Sequence, residues 1–135
     1  MRLHIAVRPD QLIADRALDR REIMMNAVRR RLGEWLLVMG FPYVVVEYAG
    51  ENWRATILEP RLFRTARADY YKVHGVRGAQ LIELFEYLLD MRHPDWRDAN
   101  GSCGDFRWSV STGELIHTHY VRGTRKDRLT HRGWF

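Results

Sequence analysis

One cysteine, two lysines and the absence of any long apolar run set the first limits on this chain of 135 residues. With Cys103 as the sole thiol, no intrachain disulfide can form, and a thiolate-based zinc site within one chain has too few donors. Asp105, two positions on, opposes thiolate formation and argues against Cys103 as a nucleophile. The longest apolar stretch, residues 35–46, is interrupted by Gly40 and Pro42. It falls short of the roughly 18–20 residues that span a bilayer, so no membrane association is expected. The first ten residues have no basic segment leading into an apolar core, which predicts no secretory leader and a cytoplasmic location. Gly101 and Gly104 lead into a strand instead of opening a helix, so they do not form a phosphate loop. No complete catalytic motif stands elsewhere.

What is present describes an ordinary folded domain. A hydrophobic share of 46% and a charged share of 29% argue against disorder, and the length fits a single domain over residues 1–135. The net charge of +5 is unevenly distributed. Residues 1–31 carry eight basic and four acidic side chains, residues 32–121 nine and twelve, and residues 122–135 five and one. Two basic ends around a mildly acidic middle can attract phosphates. Twenty of the 22 basic residues are arginine, however, which a genomic base bias would also produce.

Hydrophobic periodicity gives the order of elements. Residues 1–7 alternate loosely as a short strand that Pro9 ends, and Asp10 is placed to cap a helical segment. A helix is predicted over 19–39, with Met24, Val28, Leu32, Trp35, Leu36 and Met39 as its buried stripe, stopped by Gly40 and Pro42. Residues 43–48 and 53–58 then alternate on either side of the turn 49–52, forming a first hairpin closed by Pro60. Residues 61–78 read as a connecting loop with one helical turn near 62–66. A second helix over 79–91 presents Leu81, Leu84, Phe85, Leu88 and Leu89, and ends at His93-Pro94. The closing hairpin follows a glycine-rich entry at 101–104, with Phe106, Trp108 and Val110 on one face, a turn at 111–113 and a returning arm over 115–121. Beyond it lies the basic tail 122–135. The expected fold is α+β: two helices packed on one face of a four-stranded antiparallel sheet made of two hairpins. The sheet's second face would be open or covered by a partner.

The stretch from helix end to closing hairpin resembles a family of small uncharacterised proteins carried on bacterial plasmids and conjugative elements. In that family a helix leads into an H-P-x-W-like turn, a Gly-x-x-Gly segment and a hairpin, matched here by His93, Pro94, Trp96, Gly101, Gly104 and Phe106. The likeness covers about the last third of the chain, and the family pattern ends in a more acidic tail than this one. It implies a bacterial, mobile-element gene and implies no activity.

Three features carry candidate chemistry. His117 and His119, two apart on one strand, share a face and can chelate a transition metal if His131, His93 or Asp105 supplies a third ligand. As an acid–base pair they could instead serve a nuclease, with an arginine or tyrosine such as Arg122 or Tyr120 beside them. The alternative is that both imidazoles face solvent or a partner. The tail mixes Arg122, Arg125, Lys126, Arg128 and Arg132 with aromatics, the pattern of a nucleic-acid contact. Trp134 and Phe135 could equally anchor that tail on the domain or on a second subunit. The first functional reading is a non-enzymatic accessory or interaction protein that self-associates or binds a protein partner, with no cofactor. The second is a nucleic-acid-binding module, and the third a metal-dependent hydrolase or nuclease centred on His117 and His119.

Overall fold

The computed structural model describes the chain except residues 1–8, 52–53, 67–68, 98–100, 122–127 and 135. Helix α1 spans Pro9–Met39, ten residues earlier than the periodicity suggested. Pro9 opens it, because the first helical position loses nothing by lacking an N–H. The expected strand over 1–7 lies outside the described residues. The helix ends in a Schellman turn, with Gly40 at φ +84° and the amides of Gly40 and Phe41 donating to the carbonyls of Leu37 and Leu36. Its core stripe is Met25, Leu32 and Leu36, with Val28 and Trp35 partly buried. Met24 is 53% exposed and Met39 48%, against expectation. Met25 stands two helical turns before Leu32, whereas Met24 is rotated a further 100° or so out of the stripe.

The four-stranded sheet does not hold. Among the described residues the structure has a seven-stranded, wholly antiparallel sheet: β1 (Tyr43–Glu51), β2 (Arg54–Ile57), β3 (Arg61–Phe63), β4 (Tyr71–Lys72), β5 (Ser102–Ser109), β6 (Glu114–Val121) and β7 (Arg128–Arg132). Helix α2 (Gly75–Arg92) lies between β4 and β5 in the chain. The sheet runs β4-β3-β1-β5-β6-β7, with β2 sharing an edge of β1. The first hairpin exists, but its returning arm is broken. β2 pairs with the far end of β1, Leu58 N–H donates to Glu47 O, and β3 pairs with the near end. Pro60, which has no N–H to give, stands in the break. The segment read as a loop supplies β3, β4 and the first turn of α2. The tail supplies β7, whose charged alternation carries no apolar signal and whose pairing is decided by the open edge of β6.

Both helices cover one face. Phe85 of α2 packs on Phe106 at 4.9 Å between centroids, and a Cβ at Gly33 of α1 would lie 3.5 Å from the Trp108 ring. That inner face carries Val44, Val46 and Tyr48 from β1, Phe106 and Trp108 from β5, and Leu115, His117 and His119 from β6, all buried. Leu81, Leu84, Phe85, Leu88 and Leu89 of α2 complete the core as the spacing predicted. Among the described residues, no helix is long and apolar enough to cross a membrane.

Truncating Leu32, which is fully buried, should cost about 2–5 kcal/mol, while Met24→Ala should change stability by no more than about 0.5 kcal/mol. Urea denaturation of the two variants checks the register of α1.

A candidate metal centre of histidines, tyrosine and arginine

Four of the six histidines of the chain meet on the inner face, at the end where α2 terminates over β6 and β7. Cross-strand register places them. Val46, Phe106, His117 and His131 form one row across β1, β5, β6 and β7, and Tyr48, Gly104 and His119 form the next. Because side chains alternate, His117 and His119 both point inward, with relative exposures of 0% and 2%. The solvent-face alternative is thereby overturned.

Tyr48 sits two strands from the histidines and still reaches both. Its hydroxyl lies 2.8 Å from His117 Nε2 and 2.5 Å from His119 Nδ1. The strand between them offers Gly104 at the crossing point. A Cβ there would collide with the Tyr48 hydroxyl and lie 2.7 Å from its Cζ, so only glycine lets the ring pass. Phe106 stacks on His117 at 4.0 Å.

The end of α2 contributes the rest. His93 caps the helix, its N–H donating to Leu89 O at 2.8 Å, and Pro94 prevents continuation. The turn folds back as Trp96 N–H donates to His93 O, Trp96 Nε1 donates to Asp90 Oδ1 at 2.6 Å, and Ser102 Oγ donates to Trp96 O. Trp96 then stands edge-on to Tyr48 at 5.7 Å. The His93 ring stacks on His119 at 3.8 Å and 6°, and its Nε2 lies 2.9 Å from His131 Nε2. Arg92 donates one N–H to His117 Nδ1 at 3.3 Å and another to Gly133 O at 2.6 Å. His93, Trp96, Gly104 and Phe106, all in the motif behind the family resemblance, thus build or support this cluster.

The electrostatics keep the imidazoles neutral. Burial, reinforced by Arg92 and the other histidines, lowers the His117 pKa from 6.5 to about 2. Burial followed by His119 and His131 lowers that of His93 to about 4, with Asp95 opposing. His119 and His131 are lowered by burial in the same direction, and burial raises the Tyr48 phenol. Neutral imidazole is the form that ligates metals. His93, His117 and His119 each offer a nitrogen, all lying within 4.8 Å of one another.

Of the ligands weighed from sequence, His93 and His131 therefore join the pair. Asp105 does not: it is paired opposite Thr118, on the strand positions that alternate with the inner face, and contacts Arg107 at 3.7 Å. Cys103 lies in β5, not in a turn. Tyr120 is exposed, away from the histidines it was expected to flank. Among the described residues, the tyrosine and arginine that touch the histidine pair are Tyr48 and Arg92. Neither had a local signal, since Tyr48 reads as the third member of the Val44, Val46 alternation and Arg92 as a helix-end cation. In the tail, Arg122, Arg125, Lys126 and Phe135 lie outside the described residues, and Arg128 pairs its backbone with Tyr120. Arg132 is exposed and reaches Glu114 at 3.5 Å. Trp134 packs on Trp108 and Phe85 of its own domain, at 5.1 and 5.7 Å.

Comparison of the chain with protein-family models, with curated proteins and with solved structures finds no match in any of the three.

Two outcomes follow from this geometry. A histidine whose native pKa lies below its unfolded value holds stability above about pH 6.5 and loses it on acidification, because the unfolded chain takes up the proton first. The window runs down through about 4 for His93 and about 2 for His117. Urea denaturation should therefore show a loss of about 2 kcal/mol from each of His117 and His93 between pH 7 and pH 5; a flat profile would contradict a neutral cluster. Separately, Gly104→Ala should destabilise by about 3 kcal/mol or more, because a Cβ there would meet the Thr118 backbone carbonyl as well as the Tyr48 ring, read from the same denaturation curves at neutral pH.

Proposed function

We propose that the protein binds a transition-metal ion at His93, His117 and His119. The observation that carries this reading is the convergence of three imidazole nitrogens, drawn from a helix end and an inner strand face, within 4.8 Å. Tetrahedral ligands at the usual zinc–nitrogen distance of about 2.1 Å stand roughly 3.4 Å apart, so loading requires the rings to draw in by about 1 Å and the His93 ring to turn out of its parallel stack on His119, because a metal lies in the plane of each imidazole that ligates it. An all-imidazole donor set suits zinc, copper, cobalt or nickel and does not suit magnesium or calcium, which prefer oxygen. Three histidines leave a further position for water, substrate or His131, which stands beside His93.

This favours the metal part of the third functional reading over the first two. The interaction-protein reading is supported by a groove of about 250 Å³ on the outer sheet face lined by Tyr43, Val45, Phe63 and Ile116, and by exposed apolar side chains of α1 such as Ile23 and Val38. That groove assembles no chemistry comparable to the histidine cluster. The resemblance of the C-terminal third supports a bacterial, mobile-element setting for this metal protein.

Titration of chelator-stripped protein with Zn(II), Co(II), Ni(II) or Cu(II) should give one bound equivalent and a raised melting temperature, with Mg(II) inert. His93→Ala, at the helix end, should weaken binding by at least about tenfold, since removing one of three ligands costs more than a single hydrogen bond. Wild-type protein that binds none of these ions, by calorimetry and elemental analysis, would end the proposal.

A further inference from the structure

We infer that Arg92 is a positioning residue that fixes the proton arrangement through His117, Tyr48 and His119, and thereby holds the histidine pair closed against a metal ion. The inference rests on the metal reading above and specifies how that site is controlled. It follows from which atoms can donate. A guanidinium has only donors, so the contact at 3.3 Å makes His117 Nδ1 an acceptor. A neutral imidazole with Nδ1 bare carries its proton on Nε2, and that proton points at the Tyr48 hydroxyl 2.8 Å away. The phenol accepts it and turns its own O–H toward His119 Nδ1 at 2.5 Å. His119 in turn carries its proton on Nε2. Three contacts form one directed chain, and Arg92 sets its direction.

Each histidine of the pair is left without a free lone pair. His117 has Nδ1 occupied by Arg92 and Nε2 protonated. His119 has Nδ1 occupied by Tyr48 and Nε2 protonated. For His119 to ligate through Nε2, its Nδ1 must become the donor to Tyr48. Two N–H groups would then converge on one phenol oxygen whose own proton has lost its acceptor. Loss of the Arg92 contact frees the Nδ1 lone pair of His117, which can then ligate while its Nε2–H stays on Tyr48; loss of the Tyr48 hydroxyl lets His119 hold its proton on Nδ1 and ligate through Nε2. Metal-bound histidines ordinarily give their second N–H to a carboxylate or carbonyl. Here the group facing His117 has the opposite polarity. Arg92 is also held in place from its other side by Gly133 O at 2.6 Å, so the lock is anchored to the segment after β7.

The test separates this inference from the metal reading. Long-range proton–nitrogen NMR of metal-free protein should show His117 and His119 both as the Nε2–H tautomer, and Arg92→Met should release that of His117. Finding His117 as Nδ1–H in the wild type would overturn the lock whether or not metal binds. Arg92→Met and Tyr48→Phe should each tighten Co(II) and Zn(II) binding by about tenfold, the worth of one hydrogen bond to a charged group, while lowering the stability of the metal-free protein. Arg92→Lys, which keeps a donor, should stay near the wild type. The double variant should bind tighter than either single one, because Arg92 blocks His117 and Tyr48 blocks His119. A merely structural role would move affinity and stability down together, and that result would refute the lock. Failure of the wild type and every variant to bind metal would refute the metal reading and with it the gating role, leaving the tautomer assignment to stand or fall on the NMR.

Discussion

Two imidazoles and a phenol buried in a hydrophobic core must find partners among themselves, and the hydroxyl of Tyr48 is where they do so. An unpaired polar group at that depth costs on the order of 1–3 kcal/mol, enough to remove a large part of a small domain's stability. No buried side-chain nitrogen or oxygen among the described residues is left without a hydrogen bond. The single phenol oxygen serves both histidines, and much of the surrounding structure keeps it there. Gly104 clears its path, Trp96 stands edge-on behind it, and Phe106 fixes the ring of His117 by stacking. The antiparallel register that sets Tyr48 opposite Gly104 and Gly104 opposite His119 leaves no freedom to slip, because a shift by one residue would turn all three to the other face.

The fold and the site share one piece of chain. The turn after α2 ends the helix at His93, sends Trp96 back under Tyr48, and delivers Ser102 to the first position of β5. The residues that stop a helix and start a strand are therefore those that aim a histidine at its neighbours. This accounts for how a motif without a recognisable catalytic residue can border a chemically dense cluster. Its proline, tryptophan and glycine support the histidines in space and supply none of the donors themselves.

Periodicity revealed what is local. The core faces of both helices and the two arms of the closing hairpin were legible because apolar residues recur at helical or strand spacing there. The shared face of His117 and His119 was legible for the same reason. Adjacent methionines offer the α1 stripe two registers, and spacing alone does not separate Met24 from Met25. The short strands β3, β4 and β7 were hidden because their residues are charged or aromatic and their pairing is imposed by an open edge, not by composition. Tyr48 and Arg92 were invisible as site residues because the contacts that define them cross the sheet or join a helix end to a strand.

Those crossings bear on how the molecule acquires its structure. Tyr48 and His119 are 71 positions apart, and Arg92 and Gly133 are 41 apart. Contacts at such separation are entropically expensive to close early, so the pairing of β1 with β5 that brings Tyr48 to His119 is expected to follow the local β5–β6 hairpin. The hairpin of β5 and β6 presents its two histidines side by side well before the tyrosine arrives. During that interval the imidazoles have water for partners, and the arrival of β1 excludes it. The cluster is consequently a reporter of the completed sheet: the Tyr48, His117 and His119 contacts join β1 to β6 across β5 and come apart with those strands, whereas His131 sits on the edge strand β7 and can part first.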